Sequence, residues 1–154
     1  MTLNSFQFNT TPGLRYGSGQ AKDSCEEISN KLGQSVLFIT DKGLMSLGLT
    51  EQTLKELKKI SSVEIFDDVE ADPSKKTLLK AIEVGKKIKA TGVIGFGGGS
   101  SMDVAKLTAL ILGSGENLEE AWGVANAKGP RLPLVLIPTT AGTGSEVTPV
   151  SIIT

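Results

Sequence analysis

The sequence predicts an α/β fold, a Rossmann-like and mostly parallel sheet flanked by helices. Three observations predict it. Short β-branched or apolar runs alternate with segments of helical periodicity, the pattern of βαβ units. One run, Val36-Leu37-Phe38-Ile39-Thr40, is continuously apolar, as a strand covered on both faces is. Two others, Val93 to Phe96 and Leu134 to Ile137, lead straight into glycine-rich segments. Those segments therefore sit at the carboxyl ends of strands, the edge at which open parallel sheets bind ligands.

In chain order, Phe6-Gln7-Phe8-Asn9 alternates like a half-buried strand, and Leu14-Arg15-Tyr16-Gly17 offers a second after the Pro12-Gly13 turn. Gln20 to Leu32 has the spacing of an amphipathic helix, ended by Gly33. After the strand at 36–40, Thr50 stands where it could cap a helix to about Ile60, with Leu54 and Leu57 inward. Val63 to Phe66 is the next strand. The Asp72-Pro73-Ser74 turn then opens a longer helix to about Ala90, whose six lysines mark a solvated face. Strand Val93 to Phe96 leads through the first glycine loop into a helix from Met102 to Leu112, closed by Gly113-Ser114-Gly115. A looser stretch through Trp122 and Pro130 precedes the strand Leu134 to Ile137 and the second glycine loop. Trp122 reads best as a packed aromatic. Val150 to Thr154 reads as an extended strand with nothing after it to pair with or cover it.

Composition narrows the function. A chain of 154 residues fits one domain, 1–154, and 39% hydrophobic with 21% charged residues is ordinary for a globular protein. A net charge of −1 leaves no electrostatic footprint for nucleic acid. No apolar run is long enough to span a bilayer, and the first residues carry no signal pattern. The single Cys25 fits a reducing cytoplasm and falls on the apolar side of its helix, where it reads as a small buried hydrophobe. There is no histidine to activate it.

The glycine loops carry the chemistry. Gly97, Gly98 and Gly99 leave backbone N–H groups free beside a helix N-terminus, where an anion is favoured. A plain turn needs one glycine, and each further one costs about 1 kcal/mol against alanine. Ser100 with Asp103 three residues on resembles a capping box. The loop is not the usual dinucleotide fingerprint, because Ser100 replaces the third glycine. Asp41, at the end of an earlier strand, is the candidate for a ribose. A carboxylate there accepts from both hydroxyls and repels a 2′-phosphate, which favours NAD over NADP. The other reading of Asp41 is a helix N-cap ahead of Gly43-Leu44. In the second loop Thr139, Thr140, Thr143 and Ser145 interleave with Gly142 and Gly144, giving more hydroxyl donors than a capped turn requires.

Taken in order, Phe38-Ile39-Thr40-Asp41-Lys42-Gly43-Leu44, Gly97-Gly98-Gly99-Ser100-Ser101-Met102-Asp103-Val104-Ala105-Lys106 and Pro138-Thr139-Thr140-Ala141-Gly142-Thr143-Gly144-Ser145-Glu146 resemble the iron-containing alcohol dehydrogenases. The Asp72-Pro73-Ser74 turn agrees with that family too. The resemblance implies the N-terminal, cofactor-binding domain of a two-domain enzyme that moves hydride between NAD and an alcohol or aldehyde. It implies that Asp41 holds the adenosine ribose and that Gly97, Gly98, Gly99 and Ser100 hold the pyrophosphate. Asp103 would lie towards the nicotinamide, and Thr139, Thr140, Thr143 and Ser145 would line the cofactor and the cleft. The family's metal, iron or zinc, is held by an aspartate and usually three histidines in a C-terminal helical domain, so no ligand is assigned in this chain. The segment near Phe6 resembles an element that pairs across a homodimer.

Three other readings remain. The glycerol dehydrogenase and dehydroquinate synthase branch shares the fold and the glycine-serine loop, but the Thr139 to Glu146 segment fits the alcohol dehydrogenases better. Lipid and NAD kinases also use triple-glycine loops, usually with an acid inside the run, which is absent here. The third is a stand-alone nucleotide-binding module without catalysis.

Overall fold

A computed structural model describes residues 11–123 and 125–154. The strands are β1 (Ser35–Ile39), β2 (Ser62–Phe66), β3 (Gly92–Gly97) and β4 (Leu134–Pro138). The helices are α1 (Gln20–Asp23), α2 (Cys25–Leu32), α3 (Lys42–Ser46), α4 (Glu51–Leu57), α5 (Lys75–Lys87), α6 (Gly99–Ser114) and α7 (Leu118–Ala121). All strand pairs are parallel, in the order β2-β1-β3-β4. The parallel α/β expectation is met.

Alternation along the strands divides the apolar residues between two faces. Leu37, Ile39 and Val93 join Leu78, Ala81 and Ile82 of α5 and Val104, Ala105 and Ala109 of α6 in one core. Val36, Phe38, Ile94 and Phe96 join Cys25, Ile28, Leu32, Leu54 and Leu57 in the other. Phe38 and Phe96 stack across β1 and β3 with centroids 5.5 Å apart. β1 and β3 are thus buried on both faces, which is why they read as unbroken apolar runs. Gly95 makes close packing possible on the α6 side. A Cβ there would meet the Ala105 Cβ at 2.7 Å and the Met102 Cα at 3.2 Å. Cys25 is 3% exposed, and burial raises its thiol pKa, as a structural rather than reactive cysteine requires.

Four expectations need correction. The helix expected from Gln20 to Leu32 is two helices, broken at Ser24 (φ −93°, ψ 6°). There the Ser24 hydroxyl donates to Gln20 Oε1 and accepts from Arg15. Leu14 to Gly17 forms no strand; Leu14 and Tyr16 stand in solvent, so pairing would bury no apolar surface. The helix after the first glycine loop starts at Gly99, not Met102, and the serine-to-aspartate capping box does not form. Gly98 is the N-cap, its carbonyl accepting from Met102 N at 3.2 Å, which leaves Asp103 beyond reach of the helix start. Val150 to Thr154 is not a strand, and it does have partners. Ile152 N donates to Asp103, Thr154 N donates to Pro73 O at 3.0 Å, and Thr154 O accepts from Lys75 N at 2.8 Å. The expected strand at Phe6 to Asn9 lies outside the described residues. Trp122 packs, half-buried, against the α5–α6 core.

Candidate functional site

β1 is followed by β2 on one side and its sheet neighbour β3 on the other, so the connections diverge between β1 and β3. This is a topological switch point, where an open sheet leaves a crevice outside its carboxyl ends. Asp41 follows β1, Gly97 to Ser100 follow β3, and Thr139 to Ser145 follow β4. Chain positions spread over about a hundred residues meet at one edge.

Gly97 has φ +152°, and a Cβ there would meet Ser101 Oγ at 2.8 Å and Leu44 at 3.2 Å, so the fold itself requires glycine. At Gly98 and Gly99 it does not. Gly98 is extended (φ −77°, ψ −172°) and Gly99 is helical. A Cβ at Gly98 would come no nearer than 3.6 Å to Thr140, and one at Gly99 no nearer than 3.5 Å to Thr143, which are ordinary contacts. Both positions are half-exposed. No side chain caps α6, so the N–H groups of its first turn have no partner within the helix. The second loop lies alongside, joined by a 2.9 Å bond from Thr139 N to Gly97 O. Thr139, Thr140 and Thr143 are exposed there, around a patch of bare backbone.

Asp41 satisfies the N-cap reading. Its Oδ1 accepts from Leu44 N at 2.9 Å, fixing the first turn of α3 beside Gly97. A capping carboxylate uses one oxygen for the cap, and its second oxygen remains a possible acceptor for a ribose hydroxyl. The chain also bridges from Asp41 to Asp68, after β2, and Lys42 forms an ion pair with Asp68. The hydrogen bond and charge of each partner raise the Lys42 pKa and lower that of Asp68.

Asp103 and Ser145 face each other rather than the crevice. Asp103 is 8% exposed; its Oδ1 accepts from Ser145 Oγ at 2.5 Å and its Oδ2 from Ile152 N at 3.0 Å. Lys106 lies 2.9 Å from Asp103 and also donates to the carbonyls of Ser145 (3.0 Å), Thr148 (3.3 Å) and Val150. This nearly buried pair holds the chain from 145 to 152 against α6. Sequence reading missed the role of Lys106, although its three-residue spacing from Asp103 on a helix was a usable signal. The Lys42–Asp68 pair, joining residues far apart in sequence, had no such signal.

One cleft of about 450 Å³ lies between β2 and α5 and reaches Asp68, and another of about 380 Å³ lies near Gly17 and Gly48. Neither includes a glycine-loop residue of the edge. The residues present do not fit a catalytic metal: the sequence has no histidine, and no three His, Cys, Asp or Glu side chains group as ligands among the described residues.

Residues 12–154 match the family model of the iron-containing alcohol dehydrogenases. The chain belongs to that family. Among the curated relatives of this chain is a sulfoacetaldehyde reductase of Bilophila wadsworthia, 30% identical over 97% of the chain and 39% of the relative. Another is an NAD-dependent methanol dehydrogenase of Bacillus methanolicus, 32% identical over 96% of the chain and 39% of the relative. The solved structure of a sulfoacetaldehyde reductase from Bifidobacterium kashiwanohense in complex with NAD+ superposes with a TM-score of 0.82. It is 28% identical, with 98% of this chain and 40% of that one covered. The chain thus spans about two-fifths of the length of these relatives.

Proposed function

We propose that this chain is the NAD-binding part of a metal-dependent alcohol dehydrogenase, and that the edge joining Asp41, the first glycine loop and the second is where the dinucleotide lies. The observation that carries the reading is the pair Gly98–Gly99. Neither backbone conformation nor packing requires glycine at these positions, and at Gly99, the first residue of α6, glycine weakens the helix relative to alanine. A backbone kept bare at the positive end of a sixteen-residue helix suits a pyrophosphate. The NAD+ complex of a similar structure and the NAD-dependent relative support the choice of cofactor.

In this reading the first-turn N–H groups of α6, together with Ser100, bind the pyrophosphate, while Gly97 lets Leu44 and α3 close against the loop. Asp41 accepts from the ribose hydroxyls with the oxygen its cap leaves free and disfavours a 2′-phosphate. Thr139, Thr140 and Thr143 border the cofactor from the second loop. Asp103, Lys106 and Ser145 act one step back, by holding that loop in place. Bound NAD supplies the hydride acceptor for an alcohol, or as NADH the donor for an aldehyde. We place the metal ligands outside these residues, and expect the 154-residue chain alone to bind cofactor without oxidising alcohols. Homodimer formation remains part of the proposal through the segment near Phe6.

Calorimetric titration of the purified chain with NADH and NADPH tests this reading. Saturable NADH binding that is weaker for NADPH, and weakened further by Asp41→Asn, is the expected result. A folded chain that binds neither dinucleotide would remove the proposal.

A further inference from the structure

The ribose end of the edge holds a second charged device. Lys42 follows Asp41 in the chain, yet its ammonium pairs with Asp68 after β2 and lies beyond ion-pair distance of Asp41. The backbone bridge between Asp41 and Asp68 keeps the two loops in register, so the pair spans them at the point where Asp41 would meet a ribose. Lys42 is 71% exposed and Asp68 44%, so neither is fixed by packing and the ion pair alone directs the lysine. Asp67 also faces Lys42, while Lys80 and Glu70 face Asp68.

A free ammonium on the first residue of α3 would be the nearest cation to a ribose 2′-phosphate at Asp41. Such a cation would offset the repulsion that Asp41 exerts, because a flexible lysine serves a phosphate as a point charge. We infer that Asp68 is a specificity-determining positioning residue: by engaging Lys42 it withholds that cation from a 2′-phosphate and so sharpens selection of NAD over NADP. The inference rests on the proposed placement of the ribose at Asp41.

The test is the ratio of NADPH to NADH dissociation constants, measured on the whole chain for the wild type, Asp68→Asn, Lys42→Met, the double variant and Asp41→Asn. For Asp68→Asn the ratio should fall about threefold to fivefold, as expected for release of an exposed ion pair, through tighter NADPH binding with NADH nearly unchanged. Adding Lys42→Met should return the ratio to its starting value, and high salt should erase the gain. An unchanged ratio in Asp68→Asn overturns the inference. So does an equal change for both dinucleotides, which marks a structural effect, or a gain that survives Lys42→Met, which marks simple loss of repulsion. The Asp41→Asn variant separates the two levels. If it weakens NADH while Asp68→Asn changes nothing, only this inference fails; if Asp41→Asn is also without effect, the ribose placement fails with it.

Discussion

Asp41 caps a helix and still stands where a ribose is proposed. Its carboxylate caps α3 through Leu44 N, a local use, while sitting at the switch point where a ribose is expected. Asp41→Ala should therefore cost about 1 kcal/mol of stability through the lost cap, visible in urea unfolding. Asp41→Asn keeps a capping oxygen and should leave stability within about 0.5 kcal/mol, while NADH affinity falls in calorimetry. If both variants lose only stability, Asp41 is a cap and nothing more. The bond between Asp103 and Ser145 was not legible, because it comes from a loop some forty residues later, whereas the pair with Lys106 lies three residues along the same helix. Lys106→Met leaves the Asp103 carboxylate nearly buried without its cation. We expect a loss of about 3 kcal/mol in unfolding free energy, with faster hydrogen exchange at Ile152.

The elements were largely legible because apolar runs fix buried strands and lysine-bearing periodicity fixes surface helices, as β1, β3 and α5 show. The misplaced boundaries have local causes. Ser24 interrupts a helix that its apolar spacing would have continued, and the bare Gly98 rather than Ser100 caps α6. The start of α5 was foreseen from Asp72-Pro73-Ser74, but the role of Glu70 was not. Its carboxylate accepts from Ser74 N at 3.0 Å, Ser74 Oγ at 2.9 Å and Thr77 Oγ1 at 2.8 Å. These bonds, the Ser74 amide foremost, pull its pKa down from 4.5 to about 2. A group depressed on folding stabilises the protein above its unfolded pKa and loses that effect as pH falls through the folded one. The Glu70 contribution should be complete above pH 4.5 and fade between there and about pH 2. Because Glu70 is exposed, the contribution is at most about 1 kcal/mol. Urea midpoints of the wild type and Glu70→Gln should differ near neutrality and converge near pH 2. A constant gap across that range would show that the clamp does not depend on the charge of Glu70.

Across the whole molecule, the family and the parallel fold were readable because apolar strands alternate with helices and the three motifs shared with the family lie at strand ends, where backbone geometry restricts residue choice. The tertiary clamps were not readable, since Lys42–Asp68 and Lys106–Ser145 join segments that only the fold brings together. A ligand that binds only the folded chain should stabilise it by about 2.7 kcal/mol at a hundred times its dissociation constant. NADH should therefore raise the melting temperature more than NADPH does at equal concentration, and equal shifts would argue against a ribose-selective edge. The most direct test of the account is Gly99→Ala, with thermal melting and NADH titration carried out on the same preparation. A Cβ at this position meets only ordinary contacts with Thr143, and alanine favours a helix, so stability should be unchanged or higher by up to about 1 kcal/mol. NADH affinity should fall at least about tenfold as the methyl group covers the bare helix start, a loss of about 1.4 kcal/mol. A variant that melts as the wild type does and binds NADH equally well would contradict the claim that this loop is kept bare for a cofactor.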